Sequence, residues 1–197
     1  MHREKNISAD GSLRSDGCQS SDEQFIPFVE GQAEKRPADA RPAHPGLLRA
    51  RPHLLLAQPA YQEILESLTW PPETCGLLLG PCQQDHVVTH FHFDRGGQGT
   101  PGSFTLDHAG LNGVLKSYAA ARLDCKGYVH AHPPGFDSLS YGDFTAVRAI
   151  FGKEKNRSLQ QFFMPIVIGR QLRPYVVFRA DLEAGLDFAH LMQLILF

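Results

Sequence analysis

The chain has 197 residues, 42% of them hydrophobic, which is enough for one domain with a buried core plus an extension. Its 19 basic and 21 acidic residues leave a formal charge of -2, so no broad field of either sign draws it to nucleic acid or an anionic membrane, and neither partner is expected. No run reaches the ~18 apolar residues of a membrane-spanning helix, the opening MHREKNISADGS holds no apolar leader, and Cys18, Cys75, Cys82 and Cys125 form no CxxC pair, so a reducing cytoplasm is the expected compartment.

Residues 1–52 mix Ser, Gly, Asp, Gln, Arg and Pro with few large apolar side chains, too little surface to offset chain entropy, and are expected to be a disordered tail. Its one apolar island, Phe25-Ile26-Pro27-Phe28-Val29, is read as incidental. From residue 53 the pattern alternates between strand and helix signals, so 53–197 is expected to be one α/β domain with a mixed central sheet flanked by helices.

Within it, Leu54 to Ala57 reads as a short strand. Pro59 then opens a helix on which Tyr61, Ile64, Leu65 and Leu68 share a face. Pro71-Pro72 stops that helix, and the apolar run CGLLLG (75–80) and the segment Val87 to Phe93 read as two adjacent strands. The glycine-rich stretch RGGQGTPGS (95–103) lacks the lysine and helix start of a phosphate loop and is read as a flexible connection flanking a groove. Asp107 is placed to cap a second helix carrying Leu111, Val114, Leu115 and Tyr118. A strand at 127–132, a helix at 140–151 and strands at 162–168 and 175–178 follow, and 182–197 is expected to be a C-terminal helix with an imperfect stripe.

The chemistry concentrates around His130-Ala131-His132-Pro133. Residues i and i+2 of a strand point to one face, so both imidazoles converge at the strand end, and Pro133 turns the chain into a loop leading to a helix whose first turn carries Asp143. Two histidines and one carboxylate hold a tetrahedral zinc ion with its fourth position open to water, the arrangement of a catalytic rather than a structural site. Such water still needs a base, and Glu73, at the rim of the CGLLLG strand, is the candidate. Ser140 and Asp143 also have the spacing of a helix capping box, a role compatible with the site. A second pair, His90 and His92, is followed eleven residues on by Ser103 rather than an aspartate, and is read as structural.

Glu73 before CGLLLG, then His130-x-His132-Pro133, then Ser140-x-x-Asp143, resemble the JAMM motif of the JAB/MPN-domain metallopeptidases, and the order of elements over residues 53 to 180 is similar too. The resemblance implies a JAB/MPN-like, cytidine-deaminase-like fold and one zinc ion per chain bound by His130, His132 and Asp143. It further implies Glu73 as the general base acting on zinc-activated water, and Ser140 as a stabiliser of the tetrahedral intermediate. Ala131 and Leu139 stand where serine and proline are frequent, and neither departure removes a ligand. Without long insertions the chain looks like the compact prokaryotic branch. That implies an isopeptidase or peptidase acting at the C-terminus of a ubiquitin-like or sulfur-carrier protein, whose extended tail would lie beside the strand after Glu73, with activating and conjugating enzymes as pathway partners. The rival readings are a non-catalytic MPN-type scaffold and a zinc hydrolase of a small amide or sulfur-carrier conjugate.

Overall fold

The computed structural model describes residues 51–197; the expected tail up to residue 50, with its apolar island, lies outside the described residues. Leu54 and Leu56 are buried from β1 (His53–Leu56), and Pro59 sits in the first turn of α1 (Gln58–Ser67), where the missing N–H removes no helix bond. The CGLLLG run lies in β2 (Cys75–Pro81). It is apolar without alternation because both its faces are covered. Cys75, Leu77 and Leu79 pack with Leu111, Leu115 and Phe144 in one core, while Leu78 packs with Ile64, Phe91 and Val129 in another.

The segment expected as one strand after β2 divides at Thr89 into β3 (Val87–Val88) and β4 (His90–Phe93). β3 joins β1 in parallel, and β4 runs antiparallel to β2, as its adjacency in sequence suggested. The glycine-rich connection is a small hairpin of β5 (Gln98–Thr100) and β6 (Ser103–Thr105). Next comes α2 (His108–Ala120), capped as expected by the Asp107 carboxylate, which accepts the Gly110 N–H at 3.0 Å.

The fold is organised around β7 (Leu123–Ala131), the longest strand among the described residues. On one side it pairs antiparallel with β2. On the other it runs parallel to β8 (Gln161–Phe163) and β9 (Ile166–Ile168) in turn. The expected strand at 162–168 is thus broken at Pro165, which has no N–H for a ladder, although its carbonyl still accepts the His130 N–H at 3.4 Å. β10 (Gln171–Arg173) borders β9, and β11 (Tyr175–Phe178) borders β8. α3 (Tyr141–Phe151) packs Phe144, Val147, Ile150 and Phe151 into the same core as Leu111 and Leu115 of α2, whereas α1 belongs to the other core. The domain is therefore an α/β fold whose mixed central sheet is flanked by helices.

The expected helix over 182–197 is corrected. Only α4 (Arg179–Glu183) is helical there, and the chain then forms β12 (His190–Leu191) against β11 and β13 (Gln193–Leu196) parallel to β1. Gly185, at φ 78°, takes the left-handed conformation that ends a helix, and the residues beyond it find backbone partners on two sheets. Met192 is buried and Leu194 packs against the α1-side core, while Leu191 and Ile195 stay exposed, a period of two rather than 3.6. Among the described residues no helix is long and apolar enough to cross a membrane.

Candidate metal centre

Register explains how the site assembles. Cys75 of β2 lies opposite His130 of β7, and the Ala131 N–H donates to the Thr74 carbonyl at 2.9 Å. Glu73, two residues before Cys75, therefore continues the face of β2 that looks along His130 toward His132. His132 lies one residue past β7 but keeps its ladder bond, its N–H donating to Val167 O at 2.8 Å. Both imidazoles are thus aimed by a sheet rather than by a loop, and the central position of β7 makes that aim rigid.

Asp143 arrives from the first turn of α3, fixed by a capping box. Ser140 Oγ accepts the Asp143 N–H at 3.2 Å, and the Ser140 N–H donates to Asp143 Oδ2 at 2.7 Å. The Ser140 hydroxyl also donates to Asp143 Oδ2 at 2.8 Å, so it holds the carboxylate's orientation. The capping pattern read from sequence and the third donor are one device.

The result is a buried knot of acceptors. His130 Nε2 stands 2.7 Å from His132 Nε2 and 3.1 Å from Asp143 Oδ1, and His132 Nε2 lies 3.7 Å from Asp143 Oδ2. His130, His132, Asp143 and Glu73 are 4%, 5%, 9% and 8% exposed, so water cannot dilute their mutual interaction. His132 Nδ1 is within 3.0 Å of the Phe136 carbonyl, which can accept only a proton and so leaves the Nε2 lone pair facing the cluster. Two imidazole nitrogens and a carboxylate oxygen pointed at one another have more lone pairs than shared protons, and a cation removes that conflict. The three separations bracket the ~3.3 Å between ligand atoms that bonds of ~2.0–2.1 Å to a tetrahedral ion imply. The donor set fits a metal ion, and it is the cluster of this kind found among the described residues.

Charge and burial set the protonation states. Burial alone would push the Asp143 carboxyl up, but the imidazoles of His130 and His132 beside it hold it well below the usual carboxylate range. For His132, burial pulls down, and the adjacent Asp143 carboxylate outweighs it and raises the imidazole. Glu73 is raised chiefly by burial and further by Asp143, with His130 and His132 pulling it back in part. A carboxyl lifted above its ordinary value is better matched to proton transfer near neutrality.

Glu73, His130, His132, Ser140 and Asp143 line one cavity of about 450 Å³. The structure thus brings together every residue singled out around the motif. His90 and His92 remain apart, their rings 5.9 and 6.3 Å from that of Tyr118, outside the cluster. Sequence reasoning did not single out Trp70, Phe104, His108, Tyr128 or Phe136 as cavity residues. They come from a loop, a hairpin, a helix start, a strand and a turn, and no periodicity links them. The glycine-rich hairpin does flank the cavity, and its Thr100 carbonyl accepts the Glu73 N–H at 3.0 Å.

No family model matches the chain, and no curated protein matches it. Among solved structures it is similar to the protein DSY2949 from Desulfitobacterium hafniense, at 17% identity and a TM-score of 0.54 over 73% of this chain and 92% of that one. It also matches AF2198, a JAB1/MPN domain protein from Archaeoglobus fulgidus, at 16% identity and a TM-score of 0.41 over 73% of this chain and 98% of that one. At these identities a likeness speaks for fold alone, and the first carries it.

Proposed function

We propose that the chain is a JAMM-type zinc metallopeptidase that hydrolyses a peptide or isopeptide bond at the C-terminus of a ubiquitin-like or sulfur-carrier protein. The observation that carries this reading is the meeting, in one cavity, of two imidazole nitrogens, one carboxylate held by a capping serine, and a second carboxylate raised by burial. A scaffold has no use for Glu73 in that place, since burying a carboxylate costs stability.

His130, His132 and Asp143 would hold the ion. Zinc bound there supplies a Lewis acid and lowers the pKa of water toward ~7. Glu73 takes the proton of the water that adds to the scissile carbonyl and returns it to the departing amine, so the carboxylate is regenerated each cycle. Ser140 turns its hydroxyl proton from Asp143 toward the oxygen on which negative charge develops. Phe136 keeps His132 in the required tautomer through its carbonyl.

The test measures zinc content together with cleavage of a fusion between a ubiquitin-like protein and a C-terminal reporter. One zinc per chain is expected, with turnover reduced at least ~10²-fold in Glu73→Gln while zinc is retained. His130→Ala should lose both. Zinc without cleavage of any such fusion would redirect the search to small amides, and a chain that takes up no zinc would overturn the reading.

A further inference from the structure

The cavity is larger and more apolar than the motif alone requires. Beyond the metal-binding cluster its walls are Phe104 and Leu106 from the hairpin side and Pro133 and Phe136 from the loop side, over a floor that includes Tyr128 and Ala146. Phe104, Leu106 and Ala146 pack against the core formed by α2 and α3, so these walls are backed by packed side chains. Trp70 and Phe136, 37% and 46% exposed, stand where the cavity meets solvent. The Trp70 Nε1–H donates to the Pro101 carbonyl at 2.9 Å, which fixes the ring against the hairpin instead of leaving it to swing. Among the described residues no lysine or arginine lines the cavity, and its acidic groups are Glu73 and Asp143.

We infer that this cavity selects a substrate with a large, uncharged apolar side chain next to the scissile bond. The inference deepens the peptidase reading and rests on it. A space of about 450 Å³ lies within the ~300–1,000 Å³ of pockets that engulf a sizeable ligand. Glycine residues alone would leave the walls of Phe104, Leu106 and Phe136 against water, whereas a phenylalanine or leucine side chain removes that apolar surface from solvent. A carboxylate or phosphate finds no cationic side chain among the described lining residues, only the ion that His130, His132 and Asp143 would already neutralise in part, and a lysine side chain would lose its hydration beside apolar walls.

The chain's single tryptophan is Trp70, so its emission reports on this cavity without reference to turnover. The experiment uses the full-length, zinc-loaded Glu73→Gln chain, and titrates blocked peptides identical except for Phe, Leu, Gly, Asp or Lys on either side of the would-be scissile bond. Binding is measured by calorimetry and by Trp70 fluorescence, and cleavage of the same peptides is measured with the native chain. Phe and Leu peptides should bind roughly 10- to 100-fold more tightly than the Gly peptide, with Asp and Lys weakest, as burial of one large apolar side chain predicts. Ala146→Leu, which fills the floor, should erase most of that preference. Equal affinities, tighter binding of a charged peptide, or no binding by any peptide would overturn the inference. Tight, selective binding with no cleavage by the native chain would leave the selectivity standing and count against the peptidase reading alone.

Discussion

The donor residues of the site were legible in combination, not one by one. Strand parity aims His130 and His132 together, and the Ser140 to Asp143 spacing announces a capping box that the structure shows also holds the carboxylate. Glu73 was singled out by its place at the rim of the CGLLLG strand and by the resemblance, but its approach to the donors depends on β2 pairing with β7, a contact between residues more than fifty positions apart. Two of the thiols, by contrast, are held protonated by their surroundings. Burial pushes the Cys125 thiol up to about 12 from its ordinary 9.0, and Cys75 and Tyr128 are raised well above their usual values by the same cause. Since the folded chain keeps these protons after the unfolded chain has released them, their contribution to stability is full below pH 9.0 and is lost as pH climbs through the folded values. For Cys125 alone that loss proceeds at up to ~1.4 kcal/mol per pH unit between the two values. Denaturant midpoints from pH 8 to 11 should therefore fall less steeply in Cys125→Ala than in the native chain, and parallel profiles would show that this thiol does not titrate with unfolding.

Elements were readable where one local rule governed them. α1, α2 and α3 follow proline, caps and apolar stripes, and β2 follows its apolar run. The errors fall where long-range backbone pairing decides. Residues 190–196 join two different sheets although their composition suits a helix, and the stretch after β2 splits at Thr89 because its halves serve different neighbours. The glycine-rich hairpin was underestimated in the same way, since it is a wall and not a flexible link. Gly99 is what lets it approach. A β-carbon there would sit 1.9 Å from the Glu73 carbonyl oxygen, a backbone atom with little freedom to retreat. The hairpin holds Glu73 through the bond to Thr100, so Gly99→Ala should shift the carboxylate and not the metal donors. Misplacement by ~1 Å can cost 10²-fold in rate, so kcat should fall at least tenfold in Gly99→Ala with zinc content unchanged. Unchanged kcat would mean that the hairpin does not position Glu73, and loss of zinc would mean that the damage reaches β7.

At the scale of the molecule, the sheet separates two hydrophobic cores, and the site lies where β7 ends between them and the helices. Its three donors tie the end of the central strand to the start of α3, across the loop carrying Phe136. A bound ion therefore crosslinks elements that contribute to the packing of the whole domain, and binding to the folded chain alone must stabilise it by mass action. At free zinc 100-fold above its dissociation constant the gain is ~2.7 kcal/mol, which for a domain of this size raises Tm on the order of 5–10 °C. Chelation should lower Tm by that amount in the native chain and in Glu73→Gln, whose donors are intact, and leave His130→Ala unmoved because its ion is already absent. The comparison separates structure from chemistry: Glu73→Gln that melts like the native chain yet turns nothing over assigns Glu73 to the reaction. If instead chelation leaves the native Tm in place while abolishing zinc content, the ion does not bridge β7 and α3, and the coupling argued here between site and fold is wrong.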